Sequence, residues 1–185
     1  MAERAYRFRG SSVVVMETRE LRELLIKCWM SHDAMWFYNC LQEFGIEKAN
    51  ELNQASIRSL SKIEVPRILR ALGITKEKVT TFEELKASID GLFGIVKGDF
   101  MDFEYSFPAE NCMRWEVRRC FAYEGMKRMG VSDRYQCGLL HRVACWLDIL
   151  GVKCIVTPQV ESCLMVKDGE CSGEVKFFFP KEENP

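Results

Sequence analysis

The stretch MDFEYSFPAENCMRWEVRR, residues 101–119, decides how this chain folds. Met101, Phe103, Tyr105 and Phe107 alternate with Asp102, Glu104 and Ser106. After Pro108-Ala109-Glu110-Asn111, Met113, Trp115 and Val117 alternate with Arg114, Glu116 and Arg118. Successive side chains of an extended chain point to opposite faces, so a period of two with one polar face predicts two half-exposed antiparallel strands joined as a hairpin. Downstream, helices are expected over 119–129 and 132–150, stopped by Gly130 and Gly151, with strands over 152–157, 162–166 and 174–179 completing the sheet.

Upstream the period changes. Thr18 is a good N-cap with Glu20 in the first turn, and Leu21, Leu24, Leu25, Cys28, His32, Met35, Trp36 and Asn39 then recur at steps of three and four. This predicts a long amphipathic helix ending at Gly45, followed by a second helix over 47–60. Ser61 and Glu64 have capping-box spacing for a third, kinked or delayed by Pro66 and ending at Gly73, and Thr80 or Thr81 opens a fourth that runs to about Gly91. The fold class is α+β: a helical N-terminal half packed on an antiparallel sheet with two further helices. Residues 1–16 are expected to be a flexible extension, 17–92 the helical region and 93–180 the α+β region, the last two forming one unit.

Composition excludes several function classes. The chain has 185 residues, 48% of them hydrophobic, enough for a substantial core, and a net charge of -1, which argues against a dedicated nucleic-acid binder. An arginine-rich segment, from Arg114 to Arg142, could receive a carboxylate or phosphate ligand, though such a segment is more often a solvated face. No apolar run approaches membrane-spanning length, and 13–16 is too short for a signal peptide. Nine cysteines, an odd count without a leader, suit a cytoplasmic protein with reduced thiols better than a secreted disulfide scaffold.

The cysteines then carry the chemistry. Cys163 and Cys171 flank Lys167-Asp168-Gly169-Glu170, and a hairpin there would aim both thiols at one point together with Cys137. Thiolates are good zinc ligands because the cation favours their deprotonation. The fourth ligand stands open between Glu161, on the same strand face as Cys163, and His141, one helical turn after Cys137. An iron–sulfur cluster on Cys137, Cys145, Cys163 and Cys171 is the minor alternative. Cys28, Cys40, Cys112, Cys120, Cys145 and Cys154 show no ligand spacing and are read by default as packing residues.

Cys137, Gly151, Glu161, Cys163, Gly169 and Cys171, ending in the strand of Val175-Lys176-Phe177, resemble the C-terminal half of the 4-vinyl reductase-type (V4R) small-molecule-binding domain. That resemblance implies a sensory or ligand-binding role and a zinc on the three cysteines and a glutamate. Residues 29–37 and 43–49 are similar to cytosolic proteins of anaerobic microbes related to L-2-amino-thiazoline-4-carboxylate hydrolase, which implies a hydrolase without identifying its catalytic residues.

Two functions are therefore expected to compete. One is a zinc-stabilised binding module for an apolar or carboxylated small molecule, its pocket lined by His32, Trp36, Asn39 and Trp115. The other is a hydrolase in which the metal or His32 activates water. A third reading uses the long first helix to form a homodimer; a strip of exposed Trp and Met there would favour it.

Overall fold

The computed structural model describes residues 6–7, 15–74 and 78–179. The expected flexible extension falls mostly outside these, although β1 (Tyr6–Arg7) and β2 (Val15–Met16) pair as an antiparallel ribbon. The molecule is α+β. Helices α1 (Thr18–Ala71), α2 (Phe82–Val96), α3 (Phe121–Arg128), α4 (Gly138–Leu150) and the single turn α5 (Leu164–Lys167) surround β3 (Asp102–Ala109), β4 (Cys112–Arg119), β5 (Lys153–Thr157) and β6 (Cys171–Phe178). No helix among the described residues is long and apolar enough to cross a membrane.

The four long strands form one antiparallel sheet in the order β3-β4-β6-β5. The alternation read in 101–119 holds: Tyr105 pairs with Trp115 and Phe103 with Val117, all facing the core. The opposite face carries the ion pairs Arg118–Glu104 and Arg114–Glu174 in solvent. On the inner face lie α2, α4 and the second limb of α1, which bury Leu85, Ile89, Leu92, Trp146, Leu147, Val65 and Leu69 against Val175 and Phe177.

Helix α1 is two limbs. Gly45, with φ 79° and ψ 173°, breaks the backbone at the predicted stop, a conformation that a Cβ would disfavour. The N-cap is Glu17 rather than Thr18, in a reciprocal capping box with Glu20. The second limb runs without interruption from Gly45 to Ala71 and through Pro66, so no new helix starts at Ser61. The Ser61 hydroxyl instead donates back to the Ile57 carbonyl, and Glu64 turns inward. Helix α2 follows its forecast start at Thr81, whose hydroxyl accepts the Glu84 amide, but continues past Gly91 to Val96.

Two other expectations change. The strand expected over 162–166 is a helical turn, α5, because Leu164 is drawn into the core while Val166 to Glu170 stay at the surface. Helix α4 begins at Gly138, not Ser132. The segment before it is pinned in a non-helical path by buried Asn50, whose amide donates to the Arg134 carbonyl and whose carbonyl accepts the Gln136 N–H.

Candidate functional site

A cavity of about 340 Å³ lies between the inner face of the sheet and α4. Its floor is Tyr105, Met113, Trp115, Val117 and Val175; Leu140, Val143 and Trp146 form the roof. Phe93 of α2 closes one side, stacked within 5.3 Å of Phe103, Tyr105 and Trp146 by ring centroid. The lining is apolar because each element turns its non-polar face inward here. The cations on the lining are already engaged. Lys97 donates to the Phe103 carbonyl, Arg119 is held by Glu124, and Arg142 is held by Glu64.

Two cysteines line this cavity. Cys137 is the N-cap of α4, Cys120 the N-cap of α3, and both line the wall. Cys171 opens β6 opposite Val117, three residues before Cys120, and Cys163 is the N-cap of α5. The position of Cys137 is built from three contacts. Asn50 fixes the preceding loop, the Tyr135 hydroxyl accepts the Gly138 N–H at 3.0 Å, and Phe37 meets the Tyr135 ring edge-on.

Ionisation of Cys120, Cys137 and Cys171 is opposed first by burial and then by the other cysteines. Cys137 feels the charges of Cys120, Cys163 and Cys171; Cys171 feels Cys120 and Cys163; Cys120 feels Cys163. Burial, the larger cause, pushes the Cys137 thiol up to about 12 and the Cys171 thiol up to about 11, and raises Cys120 as well. Cys120, Cys137 and Cys171 are therefore neutral thiols at pH 7. Among the described residues, no group of three or more His, Cys, Asp or Glu side chains stands as an assembled metal cage.

The Tyr123 amide lies 3.4 Å from Cys120 Sγ, which caps α3, whereas Cys137 makes no side-chain cap hydrogen bond at the start of α4. Trp115, whose indole is buried, has no hydrogen-bond partner within bonding distance for Nε1, and that N–H is turned toward Cys171. A buried unpaired donor is costly, and a thiolate at Cys171 would accept from it. Thiols, deprotonated on binding, suit a thiophilic cation such as zinc.

The remaining expected site residues are distributed differently. Trp115 lines the cavity, whereas His32, Trp36 and Asn39 do not. All three lie on the outer face of α1, because that limb buries Ile26, Phe37 and Cys40 instead. His32 lies 3.7 Å from Asp33, both in solvent. Glu161 is exposed at the edge of the cavity, and the charges acting on the shifted thiols do not include its own. His141 is committed elsewhere: Arg58 donates to its Nε2 at 3.4 Å, and Cys145 Sγ lies 3.6 Å from the same atom. Desolvation first, then Arg58, lowers its pKa, so the ring is neutral. Cys145 therefore faces His141 rather than the other thiols, which separates it from the four-cysteine set considered for an iron–sulfur cluster.

Cys120 is the lining cysteine that spacing did not reveal. It shares one legible signal with Cys137 and Cys163: each stands immediately before a helix. A comparison with curated proteins found no match. A family described only as of unknown function, DUF6125, matches residues 15–142, including Cys120 and Cys137 but not Cys163 or Cys171, and the chain belongs to that family.

Proposed function

We propose that the protein is a cytoplasmic small-molecule-binding domain. Its apolar cavity, between sheet and α4, is closed at one end by a structural zinc on Cys137, Cys163 and Cys171. One observation carries this reading: an aromatic cavity whose size, about 340 Å³, is in the usual range for a ligand site has Cys137 in its wall. When bound, zinc supplies a redox-inert cross-link between α4, α5 and β6 and holds the sulfurs as thiolates. The resemblance to the V4R domain supports the same assignment. Because the lining cations are engaged by Glu64, Glu124 and the Phe103 carbonyl, the ligand is apolar and aromatic rather than carboxylated. The hydrolase reading is weaker, since His32 lies on the outside of α1, away from the cavity.

A fluorescent apolar probe tests the cavity. The uncharged dye N-phenyl-1-naphthylamine is expected to bind at one saturable site per chain, and Val143→Trp, which fills the roof, is expected to weaken binding at least about tenfold. Unsaturable binding, or equal affinity in the variant, would remove the cavity as the site.

A second reading concerns α1, and its discriminating feature is present. Leu25, Met35 and Trp36 are 59%, 57% and 60% exposed, on a stripe that also carries Cys28, His32 and Asn39. Residues 25, 28, 32, 35 and 39 follow the a/d spacing of a coiled-coil seam, so a second copy of the same helix is the partner proposed for them. Sedimentation should give a dimer mass that Trp36→Glu reduces to a monomer. A monomeric wild type at its highest soluble concentration excludes this homodimer.

A further inference from the structure

We infer that Gln54 and Gln136 form the head-group site of the cavity, so that its ligand is an uncharged molecule with an aromatic body and one hydroxyl. The inference rests on the proposal that the cavity binds an apolar ligand, and it adds the polar end of that ligand and the residues that recognise it. Asn50, Gln54 and Arg58 stand at successive turns on one face of α1 and meet the segment that leads into α4. Buried Asn50 is spent on the Arg134 carbonyl and the Gln136 N–H, and Arg58 lies 3.4 Å from His141 Nε2. Between them, Gln54 Nε2 donates to Gln136 Oε1 at 2.7 Å, and both residues line the cavity. Gly138 lets α4 start this close to α1: a Cβ there would lie 2.9 Å from Asn53 Nδ2 and 3.1 Å from Ile57 Cδ1.

The chemistry of this corner is neutral and incompletely satisfied. Gln136 is exposed and Gln54 half-buried, so the cavity meets solvent here. A primary amide carries one acceptor oxygen and two N–H donors. Their shared bond leaves Gln54 Oε1 as an acceptor and Gln136 Nε2 as a donor, neither with another protein partner among the described residues. A hydroxyl both donates and accepts, so it can serve the two amides at once in place of water. An anionic head would find no free cation, because Lys97, Arg119 and Arg142 are held by the Phe103 carbonyl, Glu124 and Glu64. A cationic head would find only Glu161, exposed at the edge, and Asp102, which faces Arg118 at 3.9 Å in solvent. Exposed pairs of that kind add little.

The test displaces N-phenyl-1-naphthylamine from the full-length protein with competitors that share one aromatic body: 2-naphthylmethanol, its hydrocarbon isostere 2-ethylnaphthalene, 2-naphthoate and 2-naphthylmethylammonium. In the wild type the alcohol is expected to bind at least about tenfold more tightly than either ion. In Gln54→Leu and in Gln136→Leu the alcohol should lose roughly fivefold relative to 2-ethylnaphthalene, the worth of one neutral hydrogen bond. The affinity of the hydrocarbon itself should hold, which shows that the cavity is intact in each variant. An alcohol-to-hydrocarbon ratio equal in the wild type and both variants would make the amide pair a purely structural contact and overturn the inference. Tighter binding of the carboxylate than of the alcohol would also overturn it, as would tighter binding of the ammonium that Glu161→Gln removes. If the dye does not bind the wild type saturably, the cavity reading itself fails, and this inference with it.

Discussion

Glu64→Ala is expected to lower the unfolding free energy by about 3–5 kcal/mol, the cost of leaving a buried charge without its partner. Glu64 lies on the inner face of the second limb of α1, 7% exposed by side chain, and Arg142 on α4 is 13% exposed. One carboxylate oxygen accepts from Arg142 Nε at 2.8 Å and from Trp146 Nε1 at 2.8 Å; the other accepts from Arg142 Nη2. The guanidinium is also stacked between rings, 4.8 Å from the Trp29 centroid and 5.5 Å from that of Trp146. Removing the carboxylate strands both a cation and an indole N–H. The double replacement Glu64→Leu with Arg142→Met should be far milder, because it removes both charges and keeps the volume. Urea unfolding of the three proteins distinguishes the outcomes; equal losses for the single and double variants would show that packing, not charge pairing, dominates this contact.

Gly173→Val should cost about 3 kcal/mol, at the upper end of the usual range for overpacking. Gly173 on β6 sits directly across from Trp115 on β4. A Cβ there would lie 2.3 Å from the indole and 2.5 Å from the Thr157 carbonyl oxygen, and neither a packed ring nor a strand backbone can yield cheaply. The indole must move, and it forms the cavity floor and carries the N–H turned toward Cys171. The variant should therefore also bind the fluorescent probe more weakly than the wild type. Unchanged stability in urea would mean that the ring relaxes into the cavity without penalty.

The sheet was legible because two signals agreed. In 101–119 the period of two and the polarity of each face point to the same arrangement, and the observed register keeps Tyr105 opposite Trp115. Helix α1 was legible in extent but not in orientation. Apolar side chains surround its first limb, so Ile26 and Phe37 could go inward while Leu25, Met35 and Trp36 stayed outside. Only the partners on α3, and the Tyr135 segment before α4, decide between these faces, and they are about 90 residues away in sequence. The same limit hid the site. Cys163 and Cys171 could be paired by local spacing, even though the expected strand between them is a helical turn. Cys120 could not, because the fold alone brings the end of β4 to the start of α4.

Metal analysis of the natively purified wild type and Cys163→Ala is the most direct measurement of the central claim, a metal-held thiol cluster closing an apolar cavity. The pH dependence follows from the thiols: since Cys137 and Cys171 hold their protons up to about 12 and about 11 in the absence of a cation, binding must release protons, and occupancy should fall as pH falls. At neutral pH under anaerobic conditions, one zinc per chain is expected in the wild type and almost none in Cys163→Ala. A wild type without stoichiometric metal, or a variant that retains it in full, would contradict the account.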